Sequence, residues 1–339
     1  MPALTPPNSP PQAYPAGEGR QAEQRPTGEV RILIGMTIPL TGAQYEIEAG
    51  AYRATVTELG GGLRTFTHDG SPLVVGYGPD DLPPSGAGQL LTPWPNRIDG
   101  GTYEFDGAAY HLPLSEPARG NAIHGLTRWT PWTRVAHEPG EVTLRSAPLG
   151  QVGYPFAVQV DVTYRVESTS GLHVTVTAAN KGSRPAPWGT GQHPYLTVAT
   201  PAVDDCELTL PAGQWLPVDD RGIPSGQPQD VAGTEFDFRT ARKIASVKLD
   251  HAFTGLRRDA DGLAWVRLDA GGSRSALWAD SAYRWLQAFT GDTLDPATRR
   301  TALAVEPMTC PPNAFVSGDD LLVLKPGESA TCRWGIRRF

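Results

Sequence analysis

The strongest constraint in this 339-residue chain is a strict alternation of apolar and polar side chains. Over residues 158–166, Val158, Val160, Val162, Tyr164 and Val166 alternate with Gln159, Asp161, Thr163 and Arg165. A period of two turns every second side chain to the same face of an extended strand, so this run predicts a strand with one face in a core. After a short polar connection at 167–171, Leu172, Val174, Val176 and Ala178 repeat the pattern, which predicts an antiparallel hairpin. Two more hairpins are expected, one over 102–112 turning at Asp106 and Gly107, the other over 321–336 turning at residues 325–328. Further strand-like runs lie at 52–59, 141–146, 265–268, 275–278 and 283–289.

The rest of the composition agrees. The 38 Gly and 33 Pro make up about a fifth of the chain, and both oppose long helices, Pro by losing an amide donor and Gly by its ordering entropy. With 39% hydrophobic residues, 9 Trp, 10 Tyr and 9 Phe, a sizeable core can still form. No sustained apolar stripe at 3.6 residues and no repeat of 20–50 residues interrupts the pattern. The expected fold is all-β: one large antiparallel β-sandwich over residues 42–339. Residues 1–41 read as a disordered tail, because Pro2, Pro6, Pro7, Pro10, Pro11, Pro15 and Pro26 stand among polar residues with little apolar surface to bury. The strand text begins just after Met36, so the tail is also read as a misplaced translation start, with no secretory signal in it.

Twenty-nine basic against 36 acidic side chains give a net charge of −7, which lacks the basic footprint of a nucleic-acid or anionic-membrane partner. No apolar run approaches the ~20 residues that span a bilayer. Cys206, Cys310 and Cys332 are far apart and odd in number, which fits reduced, buried thiols in a cytoplasmic protein. Phosphate-loop, dinucleotide, zinc-protease and nucleophile-elbow motifs are absent. The seven histidines show no metal-ligand spacing, so a metal centre would need residues brought together only in space.

Five segments break the alternation with polar and ring-bearing residues beside Pro or Gly: 91–101, 118–129, 187–196, 249–256 and 303–315. Such connections are where sites are built. Arg97 follows Pro93, Pro95 and Asn96, and fits either a loop-stabilising pair or a ligand contact. His124, between Ile123 and Gly125, reads as a satisfied core histidine or a ligand contact, and His193, before Pro194, sits on extended backbone that can aim a ring. Asp250 reads as a turn cap or a ligand contact. Glu306 is the sharpest signal, a carboxylate between Val305 and Pro307 in an apolar strand end. It is either paired with an arginine or a base lifted by burial from its ordinary value of about 4.3.

Taken in order, the NRI, HGL, GxGQHPYL, LDHAFTGL and VEPMTCPPNAF segments resemble the successive signatures of the aldose 1-epimerase (galactose mutarotase) family. The stretch from residue 44 resembles its first strands, and the PWPNRI and AIHGL forms resemble a bacterial subgroup. The resemblance implies a large sandwich with an open sugar cleft and interconversion of the α and β anomers of a hexose. It implies His193 as general acid and Glu306 as general base. Arg97, His124 and Asp250 would bind sugar hydroxyls, accompanied by Asn96 and Gln287. No metal or cofactor is implied, and the partner is a sugar, in a monomer or homodimer. Trp94, Trp188 and Tyr195 are candidates for an apolar wall against the sugar ring.

Three other readings stay open. A non-catalytic carbohydrate-binding sandwich needs hydroxyl-binding residues and aromatics but no acid and base on opposite sides of the ring. A sugar-phosphate epimerase would use Arg97, Arg119 or Arg128. A glycoside hydrolase would pair Asp250 with Glu306.

Overall fold

The computed structural model describes residues 38–148, 150–198, 200 and 202–339. The expected tail therefore lies outside the described residues up to position 37. Of its last residues, Thr41 is buried, and its carbonyl accepts from the Leu59 N–H at 3.0 Å.

Two large antiparallel sheets make up the sandwich. In the nine-stranded sheet the order is Thr133–Glu138, Glu141–Arg145, Val158–Glu167, Gly171–Asn180, Ser329–Arg337, Ser273–Ala279, Ala264–Ala270, Glu207–Thr209 and Arg242–Lys243. The predicted hairpin is at its centre, with Val162 opposite Val176 and Tyr164 opposite Val174. The inward set Val158, Val160, Val162, Tyr164 and Val166 is almost fully buried, as the alternation requires. Each such side chain adds roughly 1.5–3 kcal/mol of burial.

The second sheet runs Gln229–Asp230, Ala212–Leu216, Asp250–Leu256, Trp285–Phe289, Leu303–Met308, Gly191–Gln192 and Leu90–Leu91, with Tyr195–Leu196 also paired to Leu303–Met308. Its central strand Leu303–Met308 is buried at every position, yet its two faces do different things. Leu303 and Val305, with Leu286 and Ala288 of the neighbouring strand, join the main core together with residues of the first sheet. The other face carries Ala304, Glu306 and Met308. Ala304 packs with Tyr195 and Ala87, and Met308 with Trp285, Ala252 and Leu216, so two small apolar clusters flank Glu306.

The hairpin expected over 102–112 forms as Thr102–Phe105 paired with Ala108–His111. The one expected over 321–336 does not. Its turn is present, with the Glu328 N–H donating to the Lys325 carbonyl at 2.9 Å, but the flanking strands have different partners. Leu322–Leu324 pairs with Ala186–Trp188, whereas Ser329–Arg337 joins the nine-stranded sheet. Turn residues fix a chain reversal without fixing what the two arms pair with.

Candidate active site

Glu306 and Gln287 face each other across adjacent strands, and Ala252 faces Gln287 on the next. Directly opposed residues share a sheet face, and so do residues two apart along a strand. Asp250, two positions before Ala252, therefore joins Glu306 and Gln287 on the cleft side. The Gln287 amide Nε2 donates to Asp250 Oδ1 at 2.9 Å.

His193 enters from between the short strands Gly191–Gln192 and Tyr195–Leu196. Its N–H donates to the Gln89 carbonyl at 3.1 Å and its carbonyl accepts from the Gly88 N–H at 2.9 Å. The preceding Gln192 turns the other way, into the sandwich, where its amide donates to the Tyr164 hydroxyl at 2.6 Å and to the Gly88 carbonyl at 3.0 Å. That link ties the histidine's segment to the opposite sheet. The ring of Tyr195 stacks on the imidazole at 4.9 Å between centroids, leaving His193 Nε2 3.2 Å from Glu306 Oε1.

Neither member of this pair is solvated: His193 is 5% exposed and Glu306 2%. Burial, reinforced by the negative charge of Asp250, pushes the Glu306 carboxyl well above the ordinary carboxylate range, against the opposing pull of Arg97. Burial also holds His193 down to about 3, with the Arg128 and Arg97 guanidiniums adding to the effect. The arginine partner considered for Glu306 is not what it meets; its contact is the imidazole.

Arg97 opens the strand Arg97–Asp99, paired with Asn121–Ile123 so that Arg97 lies opposite Ile123. Its guanidinium makes a two-point contact with Glu116, Nε to Oε2 at 2.8 Å and Nη2 to Oε1 at 3.0 Å. Burial opposes its charge and the Glu116 contact outweighs it, so the pKa lies above the ordinary value. It is thus both a stabilising pair and a cavity-lining cation. Asn96, at φ 52°, caps the strand with Oδ1 accepting the Arg97 N–H at 3.0 Å. Its carbonyl accepts the His124 N–H at 2.8 Å. His124 also has a positive φ, 62°, and the following Gly125 passes so close to the Thr92 carbonyl that a Cβ there would sit 2.1 Å from its oxygen. The HGL turn is therefore a backbone fit that sets the imidazole edge-on to His193, centroids 5.5 Å apart.

Asn96, Arg97, His124, His193, Asp250, Gln287 and Glu306 all line one cavity of about 460 Å³. Tyr195, Phe289 and the half-exposed Trp129 provide its apolar surface. Of the expected aromatic walls only Tyr195 is there. Trp94 packs against Phe315 in the core, and the buried Trp188 donates its indole N–H to Thr92 Oγ1 at 2.9 Å. Rigid Pro-flanked backbone carries these two rings inward. Glu116 was missed, since a Glu beside Ser and Pro carries no mark of a distant arginine. Trp129 was missed because its neighbours give no period. Arg119 and Arg128 also line the cavity.

The family model described as aldose 1-epimerase matches residues 43–337. An uncharacterized Escherichia coli K12 protein, YihR, is 37% identical over 288 residues, covering 85% of this chain and 91% of that one. Human galactose mutarotase is 30% identical over 227 residues, spanning 62% of this chain and 64% of the human protein. A solved GalM/aldose epimerase homologue from C. elegans superposes with a TM-score of 0.77 at 22% identity, covering 87% of this chain and 99% of that one. A match through nearly all of both sheets, with the sandwich architecture alongside it, places this chain in the aldose 1-epimerase family, isomerases acting on carbohydrates.

Proposed function

We propose that this protein is a mutarotase, interconverting the α and β anomers of a hexose through the open-chain aldehyde. The observation that carries the reading is the buried 3.2 Å contact between His193 Nε2 and Glu306 Oε1. Ring opening takes a proton from the C1 hydroxyl and gives one to the ring oxygen as the bond from C1 to that oxygen breaks and a carbonyl forms at C1. Both oxygens are bonded to the one anomeric carbon, so the base and the acid must stand side by side. Glu306 takes the hydroxyl proton and His193 supplies the ring oxygen. Rotation about C1–C2 and the reverse transfers close the other anomer. Burial disfavours charge on either group, so one transferable proton is shared over the short contact. Asp250, Gln287, Asn96, Arg97 and His124 hold the hydroxyls, and Tyr195 backs the ring.

Polarimetry of freshly dissolved α-D-glucose and α-D-galactose tests this. Each positioned proton transfer is worth about 10²- to 10⁴-fold, so Glu306→Gln and His193→Asn should each lose about that much in kcat. Wild-type rates in either variant end the role assignment, and sugar binding without anomer exchange would leave a carbohydrate-binding module instead.

A second reading, an epimerase of sugars with an anionic group such as a phosphate, is favoured by Arg128. It lines the cavity, and its contacts are the Gln89 amide oxygen at 3.3 Å, the Ile123 carbonyl at 3.5 Å and the face of the Trp129 ring, 5.7 Å from its centroid. No carboxylate pairs with it among the described residues, and burial lowers its pKa. An anionic substituent would supply the missing charge. Neutral, phosphorylated and sulfonated hexoses compared with wild type and Arg128→Leu discriminate: a loss of kcat/KM confined to charged sugars supports this reading. The three buried, unpaired thiols support a cytoplasmic setting.

A further inference from the structure

Nothing along the sequence groups residues 124, 193 and 306, yet the fold brings one donor atom from each of His124, His193 and Glu306 within 4.8 Å of the other two. His193 and Glu306 are buried, His124 is half-buried, His193 presents Nε2 to Glu306 Oε1 at 3.2 Å, and among the described residues His124 Nδ1 and Glu306 Oε2 are sealed from solvent with no hydrogen-bond partner. Buried polar atoms left without partners are uncommon in native proteins, and two on one cluster call for an explanation. Two imidazoles and one carboxylate are a donor set that zinc and similar borderline-soft divalent ions accept, at about 2.0–2.2 Å, with a further position left to water. The cavity above the cluster leaves that position open.

We propose that His124, His193 and Glu306 form a divalent-cation site, which zinc fills in competition with the sugar. The ion would occupy the atoms that exchange protons with the substrate, so free metal would act as a reversible inhibitor and sugar as its competitor.

The full chain, stripped with chelator, is titrated with Zn²⁺ alone by calorimetry and with Co²⁺ alone by visible absorption. One ion per chain is expected, with d–d bands and no thiolate charge-transfer band, which separates this cluster from the three cysteines. Losing a ligand should cost at least as much as losing an outer-sphere partner, so His124→Asn and Glu306→Gln should each weaken zinc binding by about 100-fold or more. Cys310→Ser should leave it unchanged. Asn tolerates the positive φ at position 124, which keeps that variant foldable. In the unmutated chain, Co²⁺ should broaden or shift the ring resonances of His124 and His193 before those of the other histidines, a readout that needs no variant. Binding no tighter than millimolar, binding retained in both ligand variants, or a thiolate band overturns the proposal. The competition arm rests on the mutarotase reading and the binding arm does not. Zinc bound by a chain that turns over no sugar supports the site and removes that reading; zinc bound without displacement by a turned-over sugar overturns the inhibition.

Discussion

Glu306 is a carboxylate on the cleft face of a strand whose other face is Leu303 and Val305, so the sheet that raises its pKa also holds it still. The pair it forms with His193 should set the pH dependence of mutarotation. A second proton joins the pair only near pH 3, where His193 titrates, and the shared proton is lost only above the ordinary carboxylate range. The pH–rate profile measured by polarimetry should therefore stay flat well below pH 6.5 and fall on the alkaline side. An acid limb at pH 6.5 would contradict it. Stability has its own sign. The folded pKa of His193 lies below the unfolded value of 6.5, so the unfolded chain binds the extra proton and stability falls as pH drops from 6.5 toward 3. For Glu306 the folded value is raised, so its burial costs stability as pH rises above the unfolded carboxylate value. Glu306→Gln, neutral at every pH, should consequently melt higher than wild type at pH 8 while losing activity, as calorimetry would show. Glu306 was marked in the sequence as one charge inside an apolar run, whereas His193, which alone fits a core histidine, was marked by the resemblance of its GxGQHPYL segment. Glu116 was not, since its meaning depends on an arginine 19 positions away that only the fold brings near.

At the scale of elements, the site depends on short segments that carry no periodicity. Gly125 is at φ 71°, where a side chain would run into the Thr92 carbonyl. Gly125→Ala should displace His124 and lower kcat/KM by up to about 100-fold, the effect of a misplacement near 1 Å. It should also lower stability by more than about 0.4–1 kcal/mol, because Ala is incompatible with that backbone. Kinetics beside urea unfolding would separate the two effects; an unchanged kcat/KM would mean the turn does not position the imidazole. Alternation located the long strands to within a few residues. It failed at the turn over residues 325–328, because hydrogen-bond partners across sheets are a property of the packed molecule. The same limit put Trp94 and Trp188 in a wall that the chain does not build. Their Pro and Gly neighbours mark a rigid connection, but do not say which way its rings point.

For the molecule as a whole, the sandwich core and the cleft lie on opposite faces of the same sheet. Trp334, fully buried and opposite Val174, belongs to the core. Trp334→Ala should cost about 3–5 kcal/mol in denaturant unfolding yet leave mutarotation by the remaining folded chain near wild type. A matching loss of kcat with the fold intact would show that the two faces are not independent. Overall architecture was the most legible level, because a sheet buried on one face writes its orientation into every second residue. The cleft was legible only as a set of interruptions to that code. Gln287 and Glu306 stand on neighbouring strands, which the hydrogen-bond ladder holds about 4.7–4.9 Å apart, and His193, in the connection between two short strands, is held beside them by backbone hydrogen bonds to Gln89 and Gly88. What surrounds them, including Trp129, Arg119, Thr293 and Leu294, comes from connecting segments that the ladder does not restrain. If the mutarotase reading holds, exchanging those segments between relatives should change which sugar is accepted while leaving the proton transfers in place.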